Sequence, residues 1–181
     1  MPVLNNFKIV SQGAAGNLCW ACVGSAVASY YDQKAGLPPR WSSICEYVMA
    51  VFSSNDGIPP ESSRCCDAQR LLDPDCNQPR FLPDAFRVSR NRGDTRERAL
   101  SFQEIQTEID AGQPIGVEIE SSAGSHVIAI YGYDNSDGQK VMVGDPAPDS
   151  PIGVLVPYDE LCTNYRHAGG TWEQSYLTFP S

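Results

Sequence analysis

Histidine is scarce in this chain. Only His126 and His167 occur in 181 residues, so any chemistry that needs an imidazole has two choices. Neither lies near the cysteine-bearing stretch Cys65–Cys76, which argues against zinc there. Long apolar runs are also missing. No stretch approaches the ~20 residues that a bilayer span needs, so no transmembrane segment is expected. Residues 1–16 hold one lysine and no apolar core, so they do not read as a signal peptide. Either a signal has been removed, the chain is part of a larger protein, or export takes another route. Internal repeats and low-complexity tracts are absent. Positive charge is in deficit, with 13 Lys and Arg against 22 Asp and Glu and a net charge of −9. That balance argues against nucleic acid and anionic membranes as partners. Arg87, Arg90, Arg92, Arg96 and Arg98 are a local exception, expected to form a solvated basic connector or to dock an acidic partner.

Cysteine, by contrast, is abundant. Seven is high for a protein of the reducing cytosol, and Cys65, Cys66 and Cys76 sit in a Pro/Asp/Ser-rich stretch that holds its shape better if cross-linked. The odd count fits one reactive thiol plus up to three disulfides, with the pairing left open. A hydrophobic content of 41% and a charged content of 19% belong to a folded globular chain, and the length fits one domain with two lobes.

The periodicity changes character along the chain. Val23, Ala26, Val27, Tyr30 and Tyr31 follow Cys19 at helical spacing, and Gly36, Pro38 and Pro39 end that helix. A second helix fits Ser42 to Phe52, capped by Ser42 or Ser43. Residues 53–82 read as a cysteine-bearing loop broken by Asp56-Gly57 and several prolines. Ser101-Phe102-Gln103-Glu104 is a capping-box pattern, with Gly112 suited to the far end of that helix. Strands are then expected at Pro114–Glu120, His126–Tyr133 and Lys140–Val143, the last two joined by the turn Asn135-Ser136-Asp137-Gly138. Val154–Pro157, a short helix near Tyr158–Cys162 and Tyr176–Phe179 complete the set. Helices first and strands second make the class α+β.

Cys19-Trp20-Ala21-Cys22 stands at the start of the first helix, where unpaired N–H groups and the helix dipole favour a thiolate. As a CxxC it can also serve as a redox pair or as half of a zinc site. A nucleophilic cysteine needs a base, and the base needs an acceptor to orient it. His126 opens a strand after the loop Ser121–Ser125. Asp145, in Gly144-Asp145-Pro146, lies beyond the next hairpin, and two antiparallel strands would return it to the same end of the sheet. The Gln12 amide and the Cys19 N–H could together hold an oxyanion.

Gln12, Asn17-Leu18-Cys19-Trp20-Ala21-Cys22, Gly124-Ser125-His126-Val127-Ile128 and Gly144-Asp145-Pro146, in that order, resemble the papain-like cysteine peptidases. The nearest resemblance is to the compact bacterial AvrRpt2-like and C39-like branch, whose middle segment is also similar to Cys65-Cys66, Cys76-Asn77-Gln78-Pro79 and Leu82-Pro83-Asp84-Ala85. The resemblance implies a two-lobe fold with a helical lobe at about 17–112. A β lobe would take about 113–181 plus the N-terminal segment, with the cleft between the two. It implies Cys19 as nucleophile, His126 as general base and acid, Asp145 as orienter and Gln12 as oxyanion donor, with no cofactor and no metal. Gln12 stands seven positions before Cys19, one more than is usual. Aspartate is usual at the Asp145 position in the C39-like branch, where papain itself has asparagine. The implied setting is a secreted peptidase, or a toxin or effector delivered to another cell. Its partners would be a protein or peptide substrate and an inhibitor or immunity protein.

Competing readings use the same residues. Deamidases, acyltransferases and amidases share such a Cys–His site. A thiol–disulfide oxidoreductase would use Cys19 with Cys22, although residues 11–18 make a poor preceding strand. A non-catalytic binding module on a degenerate peptidase fold is another reading. Cys22 reads as buried packing or a disulfide partner, His167 as a loop residue, and Trp20 as packing beneath the cysteine-bearing turn.

Overall fold

The computed structural model describes residues 1–56, 64–66, 70–150, 153–166 and 169–181. Five helices are described: α1 (Cys19–Lys34), α2 (Ile44–Asp56), α3 (Leu82–Val88), α4 (Phe102–Asp110) and α5 (Tyr158–Thr163). Six strands form one antiparallel sheet: β1 (Arg92–Arg96), β2 (Ile115–Ser121), β3 (Gly124–Asp134), β4 (Lys140–Gly144), β5 (Val154–Pro157) and β6 (Thr171–Thr178). The strand order is β1-β6-β2-β3-β4-β5. The class is α+β, with the papain-like arrangement that the resemblance implies.

Helix α1 is the axle of the helical side. Trp20, Ala21, Cys22, Val23, Val27 and Ala28 are all buried, so it is enclosed on most of its circumference. Its close neighbour is α2, where Tyr47 lies against Gly24; a Cβ on Gly24 would fall 2.6 Å from the Tyr47 hydroxyl. That hydroxyl donates to the Ala85 carbonyl at 2.8 Å and so ties α2 to α3. After α1, Gly36 takes a φ of +73°, and Arg40 folds back to donate from Nε to the buried Asp32 at 2.9 Å. Helix α4 has the expected capping box: Ser101 accepts from the Glu104 N–H while Glu104 accepts from the Ser101 N–H.

Three expectations are corrected. The arginine-rich segment is not a connector: it ends α3 and forms β1, an edge strand paired with β6. Its side chains are nonetheless mostly exposed, so it is solvated as expected. Ser121–Ser125 is not a flexible loop, because β2 and β3 pair as far as Ser121 opposite Gly124 and leave only a tight hairpin turn. The last strand starts earlier than expected, at Thr171, because its register is set by pairing with β2. Within the 53–82 stretch, short 3-10 turns occupy Arg64–Cys66 and Arg70–Leu72. Gly57 and His167 lie outside the described residues.

Two disulfides are present, Cys45–Cys66 and Cys65–Cys76. They occupy the cysteines for which zinc was the competing use. Cys19, Cys22 and Cys162 are free thiols, and two disulfides fall within the expected limit of three.

Candidate active site

The site is assembled where the start of α1 meets one end of the sheet. Cys19 is the first residue of α1, so its N–H has no intrahelical acceptor. Leu18, at the cap, supplies no side-chain bond to that turn. Cys19 as a whole is nearly covered, at 9% exposure. Behind it, the Trp20 indole packs on Phe52 and donates to the Gln78 carbonyl at 2.9 Å, a structural role that matches its expected packing. The Asn17 N–H donates to Asn77 Oδ1 at 2.9 Å, and the Asn17 amide donates to the Asn77 carbonyl at 3.0 Å. This clasp and the Cys65–Cys76 disulfide fix the segment that runs on into Pro79–Leu82.

His126 lies on β3 opposite Ile119 of β2. Its Nε2 is 2.7 Å from Asp145 Oδ1, which leaves Nδ1 for the Cys19 side. Asp145 follows the last residue of β4, and β4 pairs with β3, so the hairpin returns the carboxylate to His126 as the spacing predicts. Burial works against a charged imidazole. Hydrogen bonds with Asp145 and with Cys19 outweigh it and push the His126 pKa up to about 9. Burial likewise works against the Asp145 carboxylate, yet His126 and the surrounding donors hold its pKa well below the ordinary range.

The sequence did not reveal how completely Asp145 is held. Its Oδ1 also accepts the Ala147 N–H at 2.8 Å. Its Oδ2 accepts Ser150 Oγ at 2.7 Å and the Tyr165 hydroxyl at 2.8 Å, and Arg166 Nη1 lies 3.6 Å away. The Ala147 bond is an Asx-type turn, for which Asp before Pro is a legible signal. Ser150, Tyr165 and Arg166 come from loops whose sequence carries no such signal. Asp145 is thus both a turn former and the imidazole's acceptor.

Gln12 is brought alongside by its backbone, whose N–H donates to the Pro146 carbonyl at 2.8 Å. Its side-chain Nε2 donates to the Gly16 carbonyl at 3.2 Å, and Oε1 is buried with no partner among the described residues. Between Gln12 and Cys19 the chain runs in successive turns, with the Ala15 N–H donating to the Gln12 carbonyl and the Leu18 N–H to the Ala15 carbonyl. No strand leads into α1. Burial, with Cys19 beside it, pushes the Cys22 thiol up to about 12, which makes it a poor redox partner.

A cleft of about 540 Å³ opens beside Cys19, between Trp20, Phe81 and Leu82 on the helical side and Glu118, Ser125 and Val127 on the sheet side. A second hollow of about 330 Å³ adjoins His126, lined by Ile119, Ser121, Tyr165 and Arg166. Cys19 lines the first and His126 the second, so a chain laid across both would pass the thiol and the imidazole.

The model of the Peptidase_C39 like family matches residues 82–176, more than half of the chain. The matched span holds His126 and Asp145 and begins after Cys19. A comparison with curated proteins finds no match. The chain belongs to the Peptidase_C39-like family, a family of cysteine peptidases whose substrates are proteins or peptides.

Proposed function

We propose that this chain is a single peptidase domain that hydrolyses peptide bonds through a thioester on Cys19. The observation that carries the reading is His126 Nε2 standing 2.7 Å from the buried Asp145 carboxylate, on an imidazole that also feels Cys19. In this mechanism the thiol proton passes to His126, and the Cys19 sulfur attacks the scissile carbonyl carbon. The resulting oxyanion is held by the Cys19 N–H and the Gln12 side-chain amide, which keeps a second N–H beyond its bond to Gly16. His126 gives its proton to the departing amine as the C–N bond breaks and the thioester forms. It then takes a proton from water, which attacks the thioester, and returns that proton to the sulfur. Asp145 keeps the imidazole oriented and stabilises its charged form. The two disulfides favour an oxidising compartment, in keeping with a secreted protein or one delivered to another cell.

The test is cleavage of a protein substrate by wild type and Cys19→Ala, read by mass spectrometry of the products. New peptide termini with wild type, absent with Cys19→Ala, are expected. Equal cleavage by the variant overturns the assignment. A gain of about 1 Da at glutamine, without new termini, would point to deamidation by the same group.

A further inference from the structure

We propose that the cleft beside Cys19 contains a subsite for one basic side chain of the substrate, with Glu118 at its floor as the specificity-determining residue. The inference rests on the peptidase reading above. Glu118 lies on β2 opposite Val127 of β3, so the two side chains share one face of the sheet. Gly116 precedes Glu118 on that face. A Cβ on Gly116 would lie 2.4 Å from Leu82, so α3 and the sheet are in close contact there. One strand step further, at Glu118, they part and the cleft opens. Leu82, Trp20 and Val127 line it with apolar surface suited to the aliphatic stem of lysine or arginine.

The carboxylate at the floor is held by hydroxyl donors. Ser125 Oγ donates to Glu118 Oε1 at 2.7 Å, and the Tyr176 hydroxyl donates to Oε2. Both donors are neutral, and among the described residues no cationic side chain pairs with Glu118. The other charged groups of the cleft are engaged: Asp84 with Arg87, and Arg80 with the Phe52 ring and with Gln78 Oε1 at 3.2 Å. A carboxylate offers about four lone-pair sites, so two hydroxyl donors leave room for an ammonium or guanidinium. A net charge of −9 also favours the approach of a cationic peptide.

The test uses paired peptidyl acyloxymethyl ketones that alkylate a cysteine and differ only in lysine or norleucine at one position. The position is moved in turn over the three residues nearest the reactive group, and labelling of Cys19 is timed by mass spectrometry. At one position the lysine probe is expected to label wild type about tenfold faster, the scale of one charge-assisted contact. Within Glu118→Gln that ratio should fall to about one. Glu118→Asp should keep part of it, and high salt should shrink it in wild type. Equal rates at all positions in wild type overturn the subsite alone, as does a lysine preference that Glu118→Gln leaves intact. Should Glu118→Gln not fold, Glu118→Asp makes the same comparison, and an unchanged lysine ratio there overturns the subsite. Failure of both probes to label Cys19 overturns the peptidase reading, and the subsite with it.

Discussion

A carboxylate as buried as Asp145 needs its lone pairs answered, and both of its oxygens are: His126 and the Ala147 N–H on one, Ser150 and Tyr165 on the other. The consequence falls on His126, whose pKa is raised only because the carboxylate and Cys19 outweigh burial. Asp145→Asn should therefore lower the His126 pKa from about 9, read by proton NMR of the imidazole or by the pH dependence of Cys19 alkylation. The stability linkage has a definite sign. The raised His126 contributes stability that is complete below its unfolded value of 6.5 and is lost as pH climbs through about 9. The lowered Asp145 contributes stability present above 3.8 and lost as pH falls below it. The stability gap between wild type and Asp145→Asn, measured by denaturant unfolding, should thus be widest near pH 4–6.5 and narrow towards pH 9, where the His126 part is lost and the part from the Ala147 and Ser150 bonds to Asp145 persists. At this scale the sequence was legible where motifs and order carried meaning. His126 and Asp145 were picked from local pattern and order, and they are hydrogen-bonded. Tyr165 and Ser150 were not legible, because their role comes from loops that meet only after the sheet has formed.

Elements are legible when their own residues carry the period. Helix α4 announces itself by Ser101 and Glu104, and β2 by alternating Ile115, Val117 and Ile119. The edge strand β1 shows no such alternation: its side chains are nearly all exposed, and pairing with β6 alone makes it a strand. The α1–α2 contact is equally silent in sequence, since Gly24 reads as a weak spot in a helix until Tyr47 is found lying on it. Gly24→Ala should gain intrinsic helix propensity yet destabilise the protein, because the added methyl meets Tyr47 at 2.6 Å. Overpacking of this kind costs about 1–3 kcal/mol, and a lowered denaturant midpoint with unchanged m-value would register it. A midpoint that rises would show that Tyr47 moves aside.

The whole molecule places opposite redox demands on its seven cysteines. As the proposed nucleophile Cys19 must stay a reduced thiol, whereas Cys65–Cys76 and the Asn17–Asn77 clasp hold the wall of the cleft. Replacing both Cys65 and Cys76 with Ser should cost about 2–4 kcal/mol of stability. It should raise KM more than it lowers kcat, because binding surface is loosened while the relay is untouched. Steady-state kinetics beside denaturant unfolding would check both. Mild reductant should accordingly activate the enzyme, and strong reductant should weaken substrate binding.

The most direct measurement of the central claim is labelling of the intact protein with a thiol-directed peptidase probe, followed by peptide mapping. Burial pushes the Cys22 and Cys162 thiols up, so neither competes well for the probe. A single label on Cys19 is expected, slowed at least about 100-fold in His126→Ala by loss of the proton acceptor. A label on Cys22 or Cys162, or labelling of Cys19 at the same rate without His126, would contradict it.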